Sequence, residues 1–171
     1  PYYLRFIETC PEVSDLANLS LDKLMLLWQG LGYYSRARNL QKTAEIIHQQ
    51  GYFPDTLDEL ITLPGIGPST AAAVLSLAYN QPHAILDGNV KRIFSRYYGI
   101  ELPPQKADKI LWQHAKSNIP SEPRSYTQGL MDLGASLCSR QKPQCHICPL
   151  HQDCYASKHQ KTHRLPITNT P

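Results

Sequence analysis

Leu63-Pro64-Gly65-Ile66-Gly67-Pro68 is the stretch that decides the fold of this 171-residue chain. Apolar residues recur at helical spacing on both sides of it, and its glycines and prolines break that spacing. Two helices must therefore meet in a tight turn. Gly65 and Gly67 allow positive φ and let a backbone come close to a ligand. Pro68 suits the first position of the next helix, whose free N–H groups and positive dipole end favour an anion. Two readings stand at this point. The turn is either a plain helix–helix corner or a hairpin that grips a nucleic-acid phosphate without reading bases.

Working outward, the periodicity is helical nearly throughout and no run alternates at period two. Ser20 caps a helix that places Leu21, Leu24, Met25 and Trp28 on one face, with Gly30 as its stop. A second helix runs from about Tyr34 to Gln50, buries Ala37, Leu40, Ala44 and Ile47, and ends at Gly51. Pro54 opens a short helix with Leu57, Leu60 and Ile61; the alanine-rich helix from Pro68 to Tyr79 follows the turn. Another helix begins after Asp87 and turns Val90, Ile93, Phe94 and Tyr97 inward. Two more lie near 106–117 and 124–137. Residues 155–171 are polar, basic and aperiodic, and read as a linker. The fold class is all-α.

Composition narrows the function classes modestly. A hydrophobic content of 42% supports a packed core, and the net charge of +3 tilts mildly toward a polyanionic partner. No apolar run reaches transmembrane length, and no signal-peptide layout opens the chain. The opening Pro1-Tyr2-Tyr3-Leu4-Arg5-Phe6 reads as the middle of an amphipathic helix, so an internal piece of a longer protein is expected.

Two constellations carry chemistry. Cys138, Cys145, Cys148 and Cys154 are separated by six, two and five residues. Four thiolates held by one loop suit a polynuclear iron–sulfur centre, since structural zinc usually draws on two C-x-x-C pairs and only one is present. A single zinc and four unrelated thiols are the alternatives. An iron–sulfur centre requires a reducing compartment, which implies an intracellular protein without disulfides. Cys10 stands alone as an ordinary buried thiol. Asp87 opens the helix containing Gly88-Asn89-Val90-Lys91-Arg92. It is either a simple N-cap or an ionised carboxylate able to stabilise an oxocarbenium-like sugar as a glycosidic bond breaks. Lys91 and Arg92 supply phosphate contacts or a solvated face.

The order of hairpin, aspartate and cysteine loop resembles the endonuclease III-like superfamily of DNA glycosylases. Within it, Gly30-Leu31-Gly32-Tyr33-Tyr34-Ser35-Arg36-Ala37-Arg38-Asn39, Leu63-Pro64-Gly65-Ile66-Gly67-Pro68-Ser69-Thr70-Ala71, Ile85-Leu86-Asp87-Gly88-Asn89-Val90-Lys91-Arg92 and Met131-Asp132-Leu133-Gly134-Ala135 resemble the adenine DNA glycosylase (MutY) family. The likeness covers about residues 1–155.

That resemblance implies a six-helix-barrel lobe over 1–86, with its helix-hairpin-helix at about 54–79. It also implies a 4Fe-4S cluster lobe over 87–154 and a linker over 155–171, leading to a further C-terminal domain. The implied activity is monofunctional excision of adenine opposite 8-oxoguanine (or guanine), after the base is flipped from double-stranded DNA. The implied setting is a monomer with no membrane association, in the bacterial cytoplasm on the nucleoid or elsewhere inside a cell. Asp87 becomes the catalytic aspartate, supported by Asn89, and Tyr33 a wedge beside 8-oxoguanine. Gly65, Gly67, Ser69, Lys91, Arg140 and Lys142 become DNA contacts, and Cys138, Cys145, Cys148 and Cys154 the cluster ligands. The family's catalytic glutamate, the acid that protonates the departing adenine, is expected upstream of Pro1, so the 171 residues alone are expected to be inactive. Ser69 stands where endonuclease III-like lyases carry a Schiff-base lysine, which a serine cannot replace. A pyrimidine glycosylase/lyase and a noncatalytic iron–sulfur DNA-binding module are the competing readings.

Overall fold

The computed structural model describes residues 2–168. Among these residues there are helices and turns but no strands, as the periodicity requires. The chain forms two compact units, residues 1–67 and 68–171.

In the first unit, α1 (Tyr2–Thr9), α2 (Val13–Ala17), α3 (Leu21–Trp28), α4 (Tyr34–Gln50) and α5 (Leu57–Leu60) follow one another. Helix α4 is the organiser, with α2 and α3 packed on it and α1 packed on α3. Its inward face is Ala37, Thr43, Ala44 and Ile47. Leu40, expected inside, is 39% exposed, and Thr43 takes the inward place. The Thr43 hydroxyl donates to Pro64 O at 3.3 Å, so a polar residue on this face braces the turn. Ser20 caps α3 as expected, accepting from the Lys23 N–H at 3.4 Å. Phe6 of α1 meets Trp28 of α3 edge to face, with ring centroids 5.8 Å apart. The Trp28 indole N–H donates to Gly32 O at 2.8 Å and holds the loop that enters α4. The cap of α5 is Thr56 rather than Pro54, two residues later than the sequence suggested. Helix α2 escaped the sequence reading because five residues are too short for periodicity to register. It is held by a reciprocal capping box between Glu12 and Asp15.

The second unit contains α6 (Pro68–Tyr79), α7 (Gly88–Tyr98), α8 (Pro104–Ser117), α9 (Pro123–Ala135) and α10 (Tyr155–Lys158). Helix α7 is central, touching α8, α9 and α10, while α6 packs on α9. Val90, Ile93, Phe94 and Ser95 face inward from it, and Tyr97 is only half-buried. Between α9 and α10 the cysteine loop contains one turn of 3₁₀ helix, Cys145–Ile147.

Within 155–168, Ala156 is fully buried and Leu165 is 2% exposed. Too few apolar residues lie in this stretch to create a period, yet those two are the ones that pack. The remainder of the expected linker, 169–171, lies outside the described residues. The second compact unit begins at Pro68, with α6 packed on α9.

Candidate nucleic-acid and cluster site

The turn at 63–67 is shaped from within the first unit. Gly65 has φ +74°, and a Cβ there would stand 2.7 Å from Asn39 Nδ2 and 2.9 Å from Asn39 Cβ. Both its backbone conformation and the approach of α4 therefore require glycine. Gly67, given the same role from sequence, does not adopt positive φ and faces open space. The Ile66 N–H donates to Leu63 O at 3.2 Å and closes the turn, and the chain passes directly into α6 at Pro68.

Tyr33 sits at the N-cap of α4 with φ +48°, a conformation uncommon for a non-glycine residue. Its side chain is 80% exposed, so it is not a core aromatic. The Arg36 guanidinium lies 5.5 Å from its ring centroid and 5.7 Å from that of Trp28.

In the second unit, Asp87 caps α7 and accepts from the Val90 N–H at 2.8 Å through Oδ1. Oδ2 has no partner among the described residues, and the residue is exposed. The helix N-terminus favours a negative charge at this place. The approach to Asp87 is pinned: the Ser69 hydroxyl accepts from the Leu86 N–H at 2.9 Å. Asn89 Oδ1 accepts from Arg92 Nη2 at 2.9 Å. The same guanidinium donates to Gly134 O at 2.7 Å and to Cys138 O at 2.8 Å. Arg92 thus joins the start of α7 to α9 and to the cysteine loop, and is no solvated surface residue. Lys91 instead pairs with Asp108 of α8 at 2.6 Å. Arg140 and Lys142 are both exposed on the cysteine loop.

The sequence did not single out Arg96. It lies one turn after Arg92 and is 3% exposed, so its charge must be satisfied internally. Its guanidinium donates to Leu165 O (2.9 Å), Ser139 O (2.7 Å) and Arg140 O (3.0 Å), and lies 3.4 Å from Cys138 Sγ. An Arg four residues after another on a helix facing the cysteines was the available signal.

The four loop cysteines are free, half-buried thiols. Burial pushes the Cys145 thiol up from its ordinary value, and Cys154, Cys138 and Cys148 add to the rise while Arg96 opposes it. Cys145 therefore lies within electrostatic reach of the other three. Yet among the described residues no three His, Cys, Asp or Glu side chains are grouped to hold a metal ion. Four thiols carried by one loop are a donor set that either a zinc ion or an iron–sulfur centre can use.

Short helix, glycine turn, alanine-rich helix and a capping aspartate in succession define a helix-hairpin-helix protein. The family described as "HhH-GPD superfamily base excision DNA repair protein" matches residues 1–117. The chain belongs to that superfamily. It is 47% identical over 174 residues to an adenine DNA glycosylase of Buchnera aphidicola subsp. Acyrthosiphon pisum, covering 99% of this chain and 50% of that one. To the adenine DNA glycosylase of Mus musculus it is 37% identical over 176 residues, covering 99% of this chain and 34% of that one. The chain thus spans about half, or less, of the length of these relatives. Among solved structures it is similar to endonuclease III in a non-covalent DNA complex, with TM-score 0.74 and 30% identity over 93% of this chain and 75% of that one. It is also similar to a thermostable thymine-DNA glycosylase, with TM-score 0.76 and 26% identity over 92% of this chain and 75% of that one. No helix among the described residues is long and apolar enough to cross a membrane.

Proposed function

We propose that this chain is the glycosylase portion of an adenine DNA glycosylase that removes adenine opposite 8-oxoguanine or guanine. The observation that carries the reading is Asp87: an exposed carboxylate at the N-terminus of α7, with one oxygen fixed by Val90 and the other unpartnered among the described residues. Such a group meets the needs of N-glycosidic cleavage. The departing base leaves positive charge on the sugar, and a fixed carboxylate stabilises it or captures it. Asn89 supports the arrangement through Arg92. The adenine has to leave the base stack first, and the 80%-exposed ring of Tyr33 is suited to fill a gap in a duplex. The turn at Gly65, the start of α6, Arg140 and Lys142 serve as phosphate contacts under this reading.

Cys138, Cys145, Cys148 and Cys154 are the ligands this chain offers to a 4Fe-4S cluster. When bound, such a cluster crosslinks the 138–154 loop through four thiolates, and it takes no part in bond cleavage. Ser69 favours hydrolysis over lyase chemistry, since its hydroxyl is engaged with the Leu86 N–H and it offers no amine.

The test is release of free adenine from a duplex carrying A opposite 8-oxoguanine, followed by chromatography, with borohydride added in parallel. In the full-length protein, adenine release without a trapped covalent adduct is expected. Excision of an oxidised pyrimidine with a trapped adduct would establish the endonuclease III-like alternative instead. DNA binding without base release would leave a noncatalytic module. Iron and sulfide analysis of the same preparation tests the cluster, and zinc in their place would overturn it.

A further inference from the structure

Beside the first turn of α7, the second unit holds a cavity of ≈ 690 Å³. Three separate segments supply its walls: Arg92 and Arg96 of α7, Arg140 of the cysteine loop, and His163 and Arg164 of the tail. Among the described residues no carboxylate lines it. Arg92 and Arg96 are oriented by carbonyls, an amide and the Cys138 sulfur, so no carboxylate cancels their charge. Arg140 and Arg164 are exposed and form no ion pair among the described residues. Glu101 is an acidic group within electrostatic reach of Arg164, and it is already bonded to Lys161 and Tyr155.

The tail is fastened at this place rather than resting there. Leu165 is 2% exposed, and its carbonyl accepts from the buried Arg96 at 2.9 Å. His163 and Arg164 immediately precede that anchor. Cations converging from three segments, with no opposing carboxylate, concentrate positive potential. Guanidinium groups match phosphate oxygens in geometry as well as charge.

We propose that this cavity seats a phosphodiester of the DNA strand, which makes the tail at 163–168 part of the DNA-binding surface. The proposal rests on the reading that the protein works on DNA. A strand is favoured over a free ion because the cavity is far roomier than one phosphate needs and is also lined by polar Asn89.

The experiment measures binding of the full chain to a fluorescent duplex by anisotropy across a salt series. Arg164→Ala and Arg140→Ala are each expected to weaken binding roughly tenfold at low salt. Each should also reduce the slope of log affinity against log salt by about one. Arg164→Lys should keep most of the slope, and unchanged thermal melting of the variants confirms that exposed side chains alone were altered. Wild-type affinity and slope in Arg164→Ala would overturn the proposal and leave the DNA reading intact. A wild-type chain that binds no duplex would instead overturn that reading. Inorganic phosphate monitored by phosphorus NMR provides the last arm. Phosphate binding lost in Arg164→Ala, with DNA binding unaffected, would mark a free-anion site and overturn the proposal.

Discussion

Leu86 and Ser69 are joined by a hydrogen bond, the Leu86 N–H donating to Ser69 Oγ at 2.9 Å, and this bond fixes the residue immediately before Asp87. Leu86 is 4% exposed, so its N–H has no ready access to water once the hydroxyl is gone. Ser69→Ala should lower stability by about 1–3 kcal/mol, the penalty of an unsatisfied buried donor. It should also slow adenine release, because Asp87 loses the tether on its N-terminal side. Urea unfolding and single-turnover release measure the two effects. Lost stability with an unchanged release rate would reduce the tether to a purely structural part.

Arg92 occupies a position that lysine cannot share. Its fork reaches Asn89 Oδ1, Gly134 O and Cys138 O at once, over 2.7–2.9 Å. An ammonium is a compact point donor and cannot span three acceptors on two sides. Arg92→Lys is expected to lose about 2–3 kcal/mol, reflecting one or two charge-assisted bonds in a half-buried place. Because one of the three acceptors is the Cys138 carbonyl, iron retained per chain should fall as well. Full iron content in a destabilised Arg92→Lys protein would detach the loop from this network.

Helix existence was legible wherever apolar residues recur, and the bounds of α4 and α6 are those the sequence suggests. What stayed hidden depends on tertiary partners. Leu40 has the right period for α4 yet is 39% exposed, while Thr43 is buried with its hydroxyl bonded to Pro64 O. Arg92 looked like a surface cation because a guanidinium's acceptors, here mostly backbone carbonyls, leave no mark in a sequence. The tail looked like a linker because only Ala156 and Leu165 of it are fully buried, and two residues make no period. Asp87 was legible as a cap, but its fixation through Ser69 spans 17 residues and could not be read locally.

The two glycines of α9 should respond in opposite directions to the same substitution. A Cβ on Gly129 would meet nothing within 4 Å, whereas one on Gly134 would stand 2.7 Å from Asn89 Cβ and 3.2 Å from its Cγ. Gly129→Ala should therefore stabilise the protein by up to ~1 kcal/mol through helix propensity. Gly134→Ala should destabilise it by about 1–3 kcal/mol, since α7 and α9 must move apart or Asn89 must turn away from Arg92. Thermal melting of the two variants side by side checks the sign difference. A stabilised Gly134→Ala protein would mean that the α7–α9 contact is looser than described.

Acid should weaken the attachment of the tail through Glu101. Its hydrogen bonds from Lys161 and Tyr155 hold the carboxyl below its ordinary range, and burial opposes them only in part. A depressed folded-state value means that the stability is present above the unfolded value and is lost as pH falls through the folded one. Lys161 is raised by the same pair, so its share persists at neutral pH and is lost only on the alkaline side of its ordinary value. Glu101 is exposed and Lys161 only half-buried, which keeps the effect small and salt-sensitive. Glu101→Gln should flatten the acid limb of stability against pH, measured by urea unfolding between about pH 3 and 6 where carboxylates titrate. An unchanged acid limb would show that the pair contributes nothing measurable.

Capping and chemistry at Asp87 can be separated by choosing the replacement. Asparagine caps helices about as well as aspartate, so Asp87→Asn should keep stability to within roughly 0.5 kcal/mol. It removes the negative charge, however, and with it the electrostatic stabilisation of the sugar cation, for which a loss of at least about a hundredfold is expected. Asp87→Ala removes both functions and should add a stability loss of about 1 kcal/mol. Duplex binding should survive in both variants, because grip on DNA is assigned to the turn at Gly65 and the basic side chains, none of which these changes touch. Single-turnover adenine release, unfolding and anisotropy together distinguish the cases. If Asp87→Asn released adenine at the wild-type rate, the carboxylate would be a helix cap and nothing more, and the cation-stabilising group would have to be sought elsewhere.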